Sequence, residues 1–165
     1  MTNQREILGA VYRKEIANLE HLTKDEANAT DEDGRTPLMN AILDEDFDAS
    51  VVKLLIRRGS NVNAADNGQR WTPLHFAARD TNEEIVQELL DAGALVDAPN
   101  IFGNTPLWEV IMGAKKDASI IKTLLAHGAD PDKKNINGVS PIDLARMIGR
   151  DDLVAVLEQG KKSES

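Results

Sequence analysis

The sequence predicts an all-α solenoid of repeated helix pairs, and three observations support this fold class. A Thr-Pro or Ser-Pro dipeptide followed by Leu or Ile occurs four times, at spacings of 36, 33 and 35 residues. A glycine precedes each dipeptide within the same turn. Two apolar-periodic segments and a second glycine follow each dipeptide. Self-similarity at a period of roughly 20 to 50 residues indicates a repeat architecture.

Each dipeptide is predicted to begin a first helix. Thr and Ser are favoured N-caps, because the hydroxyl accepts a hydrogen bond from a free N–H of the first turn. The Pro that follows suits the first helical position, where its missing N–H has no intrahelical partner to lose. The predicted starts are Thr36-Pro37, Thr72-Pro73, Thr105-Pro106 and Ser140-Pro141.

The second helix of each unit is predicted from paired apolar residues spaced as i, i+1, i+4 and i+5, which form a wide stripe on one helical face. Ile85-Val86 and Leu89-Leu90 show this pattern in the second unit. Glycines that follow such segments fit the left-handed C′ position; these are Gly59, Gly93 and Gly128. The turns before the first helices carry dipeptides that favour positive φ, namely Asp33-Gly34, Asn67-Gly68 and Asn137-Gly138.

The unit resembles the ankyrin repeat, most fully over residues 72–97, which begin Thr-Pro-Leu-His-Phe-Ala-Ala. That family has a period of about 33 residues and a T-P-L-H-x-A signature. The resemblance implies stacked helix-turn-helix units with extended, β-hairpin-like finger loops. It also implies a Thr–His hydrogen bond, which is available to His75 alone, because the other units have Met39, Trp108 and Asp143 at that position.

The chain is expected to form one ankyrin-repeat domain with capped ends. Terminal repeats need a polar outer face because no neighbour covers them. Two units carry extra residues between their helices, at Asp44–Ala49 and Ala114–Ala118, and the second unit has one extra residue in its turn. The predicted divisions are an N-terminal capping helix pair at 1–33, repeats at 34–66, 67–100 and 101–135, a C-terminal capping repeat at 136–160 and a disordered tail at 161–165.

Composition excludes several classes of function. The 165 residues include 19 basic and 28 acidic side chains, so the net charge is −9, and no cysteine occurs. This balance argues against a nucleic-acid or anionic-membrane partner, because phosphate binding needs clustered Lys and Arg. No secretory signal or membrane-length apolar run is present. We therefore expect a cytoplasmic protein without a membrane partner, and a monomer on its own.

We expect neither catalysis nor a cofactor or bound metal. The repeat signature accounts for His75, and the three histidines lack metal-ligand spacing. The Asp44–Asp48 loop places carboxylates at the first, third and fifth positions of a calcium loop. Ala49 and Leu55, however, stand where such a loop needs Gly and Glu. The competing hypothesis is an enzyme or metal-binding protein that uses His75 and this loop.

The resemblance implies that a partner protein binds to the finger turns and to the exposed side of the first helices. Trp71 and Phe102 stand out there, because exposed aromatic side chains are frequent interface anchors. We predict that they anchor a partner together with Arg70; the alternative is that both rings fold back onto neighbouring fingers. The candidate residues are Asp31, Glu32, Asp33, Arg35, Asn67, Gln69, Arg70, Trp71, Arg79, Asp80, Ile101, Phe102, Asn104, Met112, Asn135 and Ile136.

The expected function is therefore a non-catalytic protein-binding module. Residues 1–33 and 67–100 each carry a net charge of −4, which favours a partner with a basic surface. A short acidic ankyrin protein resembles inhibitor or immunity proteins that neutralise a toxic enzyme. A cytoplasmic adaptor or regulatory subunit is the alternative.

Overall fold

The computed structural model, which describes residues 3–80, 82–113 and 118–162, is a stack of helix pairs. The described residues contain no β-strand, so the all-α prediction is confirmed. Their helices are α1 (Gln4–Tyr12), α2 (Ile16–Leu19), a 3₁₀ helix (Glu26–Asn28), α3 (Pro37–Leu43), α4 (Ala49–Arg57), α5 (Pro73–Asp80), α6 (Glu83–Asp91), α7 (Pro106–Met112), α8 (Ser119–Ala126), α9 (Pro141–Met147) and α10 (Asp151–Lys162).

The helices form two layers. Helices α1, α3, α5, α7 and α9 each contact the next in one layer, and α2, α4, α6, α8 and α10 do so in the other. A continuous core lies between the layers, and Leu38, Leu74 and Leu107 occupy the same place in successive first helices with no exposed surface. Burying one such side chain contributes about 1.5–3 kcal/mol. Each unit therefore depends on its neighbours for burial.

The predicted helix ends are confirmed where local chemistry sets them. The Thr36 hydroxyl accepts a hydrogen bond from the Met39 N–H at 3.3 Å, and Ser140 forms a reciprocal capping box with Asp143. Gly59, Gly93 and Gly128 follow α4, α6 and α8 with φ between 83° and 88°. These are the left-handed conformations that end a helix.

The turn of the second unit differs from the prediction. The left-handed position lies two residues before the N-cap Thr or Ser in every unit, and Gly34, Gly103 and Gly138 hold it in the other three. In the second unit that position falls on Arg70, whose φ is 57°, and Gly68 is not left-handed. The expectation of positive φ at Gly68 is wrong, because the extra residue moves the glycine out of register.

The ends of the chain carry helices. Helices α1 and α2 occupy the segment predicted to form the N-terminal cap. Helix α10 extends to Lys162, and residues 163–165 of the predicted tail at 161–165 lie outside the described residues. The predicted insertion at Ala114–Ala118 also lies outside them, except for Ala118.

None of the helices within the described ranges is long and apolar enough to cross a membrane.

Candidate partner-binding surface

Each turn before a first helix closes over one Asp or Asn side chain. Asp31 Oδ1 accepts hydrogen bonds from the N–H groups of Asp33 and Arg35, at 3.0 and 2.8 Å. Asn100 and Asn135 accept equivalent pairs of hydrogen bonds. In the longer second turn Asp66 accepts from Trp71 N–H at 2.8 Å. Such local bonds shape a turn without help from distant residues. We call these turns fingers one to four, at 31–35, 66–71, 100–104 and 135–139.

The fingers form a continuous row. One backbone hydrogen bond of 2.8 to 3.0 Å joins each finger to the next. The bonds run from Asn67 N–H to the Asp33 carbonyl, from Ile101 N–H to the Gln69 carbonyl and from Ile136 N–H to the Phe102 carbonyl. The fingers are therefore positioned by one another as well as by their helices.

Fingers three and four present large apolar side chains to solvent. Ile101 is 46% exposed, Phe102 43% and Ile136 70%. The hydrogen bond between Phe102 and Ile136 places two of these residues side by side on adjacent fingers. Contiguous exposed apolar side chains are typical of interaction sites.

The ends of α7 and α9 add further apolar side chains. Met112 is 58% exposed at the end of α7, and Met147 and Ile148 are 72% and 46% exposed at the end of α9. Met147 and Ile148 were missed from the sequence. They lie seven and eight residues after Ser140. The predicted candidates Arg79 and Asp80 lie at the same two distances after Thr72, so the same rule would have found Met147 and Ile148. We call the six side chains the apolar surface: Ile101, Phe102, Met112, Ile136, Met147 and Ile148.

Trp71 does not belong to this surface, because it is only 8% exposed. Its ring centroid lies 5.2 Å from that of Phe76 and 5.9 Å from that of His75, and the Arg79 guanidinium lies 4.8 Å over its face. Trp71 precedes the N-cap Thr72, and a hydrophobic residue there packs against the fourth helical residue, here Phe76. The prediction of an exposed Trp71 anchor is therefore wrong.

The predicted polar candidates divide between structural and exposed positions. Asp31 and Asn135 use their side chains to shape fingers one and four, and Asn135 Nδ2 donates to Asn104 Oδ1 at 2.9 Å. Arg79 forms two hydrogen bonds with Asp80, of 2.8 and 2.9 Å. The exposed candidates on fingers one and two are Glu32, Asp33, Asn67, Gln69 and Arg70, and Arg35 is half-buried and pairs with Asp33.

His75 is fully buried and links repeat two to finger three. Its Nδ1 accepts from the Thr72 N–H at 3.2 Å and lies 2.9 Å from the Thr72 hydroxyl, so the Thr–His hydrogen bond is confirmed. Its Nε2 lies 3.2 Å from the Asn104 carbonyl oxygen, which can only accept, so Nε2 carries the proton. Burial lowers the pKa of His75 to about 4, and the ring is therefore neutral near pH 7.

Trp108 leaves the third N-cap without its histidine partner. The Thr105 hydroxyl is buried and has no hydrogen-bond partner among the described residues. Thr72 and Thr105 therefore occupy the same position in their repeats, but among the described residues only the Thr72 hydroxyl has a hydrogen-bond partner.

This difference gives a matched pair of substitutions. Thr72→Val is expected to lower the free energy of unfolding by about 1–2 kcal/mol, because the hydroxyl bonds to His75. Thr105→Val is expected to change it by less than about 0.5 kcal/mol, because no hydrogen bond is lost. Urea denaturation of the two variants measures both values. Equal losses would show that the Thr72–His75 bond does not stabilise the fold.

Glu109 is a buried acidic residue that was also missed from the sequence. It is 7% exposed, and its Oε1 lies 3.4 Å from Asn100 Nδ2 at the base of finger three. Burial raises the pKa of Glu109 to about 7, and the field of Arg79 opposes that rise. One feature of the sequence could have identified it. Glu109 lies four residues after Thr105, and the residues at the same position in the other repeats are Asn40, Phe76 and Leu144, so only this repeat has an acidic residue there.

The Asp44–Asp48 loop uses its carboxylates to form turns and a helix cap. Asp44 Oδ1 accepts from the Asp46 N–H at 3.2 Å, and Asp48 accepts from the N–H and hydroxyl of Ser50 at the start of α4. The hydrogen bonds from Ser50 lower the pKa of Asp48. Within the described part of the chain, no group of three or more His, Asp or Glu side chains could hold a metal ion.

The stacked helix pairs and the row of fingers define a solenoid repeat protein, a class that recognises partners on extended surfaces. A model of ankyrin repeats in three copies matches residues 7–100, and a single ankyrin-repeat model matches residues 102–136. The chain belongs to the ankyrin repeat family. Ankyrin repeats are protein-interaction modules and are typically non-catalytic.

The chain is similar to parts of several longer proteins. It is 41% identical over 92 residues to Zygote-specific protein 3 of Chlamydomonas reinhardtii, a match that covers 56% of this chain and 24% of that protein. It is 39% identical over 93 residues to BRCA1-associated RING domain protein 1 of Caenorhabditis elegans, a match that covers 56% of this chain and 12% of that protein. It is 29% identical over 153 residues to transient receptor potential cation channel subfamily A member 1 of Homo sapiens, a match that covers 90% of this chain and 13% of that protein. The chain therefore spans a quarter or less of these relatives.

Proposed function

We propose that this chain binds a partner protein through the apolar surface of its C-terminal half. The observation that carries the proposal is the exposure of six large apolar side chains on two adjacent fingers and two adjacent helix ends. Removing apolar surface from water contributes about 25 cal/mol per Å². Arg70 is exposed on finger two of the same row and extends the surface toward the N-terminal half.

The acidity of the N-terminal half supports a partner with a basic surface. A groove of about 410 Å³ lies between the α3–α4 connection and α5, and Phe47 and Ala77 contribute to its apolar lining. Asp44, Glu45 and Asp80 also line it. A lysine or arginine side chain complements such a groove, since its stem is apolar and its end is charged. Association with such a partner would be faster at low ionic strength.

Within this function we favour an inhibitor or immunity protein that covers a basic, toxic enzyme, and this choice rests on the net charge of −9. A cytoplasmic adaptor or regulatory subunit is the alternative. Adding the purified chain to its isolated partner distinguishes them. Loss of the partner's activity at equimolar chain supports an inhibitor, while binding with unchanged activity supports an adaptor. His75 does not support the competing hypothesis of an enzyme, because its two ring nitrogens form hydrogen bonds with the Thr72 N–H and the Asn104 carbonyl.

Replacing Phe102 and Ile136 together with alanine is expected to weaken partner binding about 30-fold, because truncated apolar anchors commonly lose about 2 kcal/mol. The partner is recovered by affinity capture and mass spectrometry, and its affinity is then measured by calorimetry with purified proteins. Leu95→Ala is the matched control, since Leu95 is 63% exposed but lies outside the fingers. We expect it to bind as the unmodified chain does. An unchanged affinity for the double variant would place the interface elsewhere.

A further inference from the structure

We propose that Asn67 is a site of spontaneous covalent modification, in which the backbone nitrogen of Gly68 attacks the Asn67 carboxamide and converts it to a carboxylate. The chain has two Asn-Gly dipeptides, Asn67-Gly68 in finger two and Asn137-Gly138 in finger four. Glycine favours such an attack, because it has no Cβ to obstruct its nitrogen. The two fingers hold their dipeptides differently, and only finger two leaves the attacking nitrogen available.

In finger four the turn itself holds the glycine nitrogen. The Gly138 N–H donates to the Asn135 carbonyl at 2.9 Å, and the Asn137 N–H donates to Asn135 Oδ1 at 3.0 Å. In finger one the Gly34 N–H donates to the Asp31 carbonyl at 3.0 Å in the same way. A nitrogen that donates to a carbonyl keeps its proton and points into the turn. Attack on the preceding side chain therefore requires the turn to open first.

The longer turn of finger two lacks this hydrogen bond. The Gly68 N–H has no hydrogen-bond partner among the described residues, and both Asn67 and Gly68 are exposed. Finger two closes instead through Asp66. Its N–H donates to the Trp71 carbonyl at 3.0 Å, and its Oδ1 accepts from the Trp71 N–H at 2.8 Å. The turn thus closes around residues 67–70 without using the Gly68 nitrogen as a donor.

The reaction consumes water and releases ammonia. The Gly68 nitrogen gives its proton to solvent and bonds to Asn67 Cγ, while the Cγ–Nδ2 bond breaks and Nδ2 takes up a proton and leaves as ammonia. Water then opens the resulting five-membered imide at one of its two carbonyl carbons. Opening at Cγ leaves an aspartate at position 67, and opening at the former backbone carbonyl leaves an isoaspartate whose backbone runs through Cβ and Cγ. Both products carry a negative charge where the carboxamide was neutral.

The modification changes the junction between fingers one and two. The Asn67 carboxamide lies against Gly34, since a Cβ built on Gly34 would be 2.5 Å from Asn67 Cγ. The Asn67 N–H donates to the Asp33 carbonyl at 2.8 Å and so joins the two fingers. A carboxylate at position 67 is repelled by finger one, which already carries three acidic side chains. The isoaspartate also lengthens the backbone of finger two by one carbon. Both products therefore weaken the bond between the fingers.

The closing experiment incubates the purified full chain in mildly alkaline buffer and follows both dipeptides by mass spectrometry. Trypsin releases them in peptides 59–70 and 135–146, and fragment spectra locate the modified residue within each. We expect modification at Asn67 to be about fivefold faster than at Asn137, the rate equivalent of the roughly 1 kcal/mol that the Gly138 hydrogen bond contributes. Equal rates, or a faster reaction at Asn137, would overturn the proposal.

Gly68→Ala is the matched variant for the attacking nitrogen. Gly68 is not left-handed, and the one atom that a Cβ there would meet within 4 Å is Asp66 Oδ2, at the ordinary contact distance of 3.6 Å, so the variant is expected to fold normally. Its methyl group obstructs the approach to Asn67 Cγ. We expect the reaction at Asn67 to slow and the reaction at Asn137 to stay the same. An unchanged rate at Asn67 would show that the Gly68 nitrogen is not the nucleophile.

Asn67→Asp reproduces the aspartate product and tests the consequence for the fingers separately. Hydrogen exchange of the backbone N–H at position 67 reports its bond to the Asp33 carbonyl. We expect exchange about fivefold faster than in the unmodified chain, as for a hydrogen bond that is lost. Unchanged exchange would overturn the weakening of the junction, and the rates of modification would still decide whether Asn67 is the reactive site.

Discussion

Replacing His75 with alanine is expected to lower the free energy of unfolding by about 3 kcal/mol. The ring has no exposed surface, so its removal leaves a cavity between repeats two and three. It also leaves the Thr72 N–H and the Asn104 carbonyl without the partner that His75 provides. Urea denaturation measures the loss. His127→Ala is the control, because this exposed histidine should change stability by less than about 0.5 kcal/mol.

The pH dependence of stability gives a second test of His75. Burial lowers its pKa from 6.5 to about 4, so the unfolded chain takes up a proton at higher pH than the folded chain. The associated stability is complete above about pH 6.5 and is lost as the pH falls through about 4. His75→Ala should therefore lose part of this acid sensitivity. Equal effects of the His75 and His127 variants would contradict a buried, neutral His75.

Replacing Gly103 with alanine is expected to lower the free energy of unfolding by about 2 kcal/mol. Gly103 has φ 75°, and a left-handed conformation alone costs a residue with a Cβ about 1 kcal/mol. The added Cβ would also lie 3.0 Å from the Ile136 nitrogen and 3.1 Å from the Asn135 Cα. Both atoms belong to the backbone of finger four, which is held by the Phe102–Ile136 hydrogen bond and has little room to move.

Gly138→Ala is the matched control for this contact. Gly138 has φ 74°, but a Cβ there would meet no atom of the described chain within 4 Å. We expect a loss of about 1 kcal/mol from the backbone conformation alone. The difference between the two variants in thermal or urea unfolding reports the close approach of fingers three and four. A difference of zero would mean that the two fingers separate without loss of stability.

Much of the fold was predictable because its signals act within a few residues. Thr36 and Ser140 cap helices through bonds to residues three positions further on, and Gly59 ends α4 beside its own last turn. The second finger shows the limit of this reasoning. One extra residue moves Gly68 out of the left-handed position and puts Arg70 into it. The insertion was visible, but its consequence for the backbone depends on how the turn closes over Asp66.

The candidate site was only partly predictable. Phe102 and Trp71 both lie in the turn before a Thr-Pro, yet Phe102 is 43% exposed and Trp71 is 8% exposed. Trp71 stands next to its N-cap and packs on Phe76, whereas Phe102 stands at the tip of its finger. No feature of the sequence indicates that Glu109 is buried, because its burial comes from the helices of the repeats on either side.

The sequence by itself determined the repeat, the helix starts and most helix ends, and membership of the ankyrin repeat family. Those features follow from N-caps, prolines and left-handed glycines, whose energetics are local. Only the tertiary structure decided that Phe102 and Ile136 lie side by side in solvent, that Trp71 is buried and that Glu109 reaches Asn100 in a buried setting. The physical reason is that exposure and pKa depend on the neighbouring repeat, which lies about 33 residues away along the chain and packs directly against each unit.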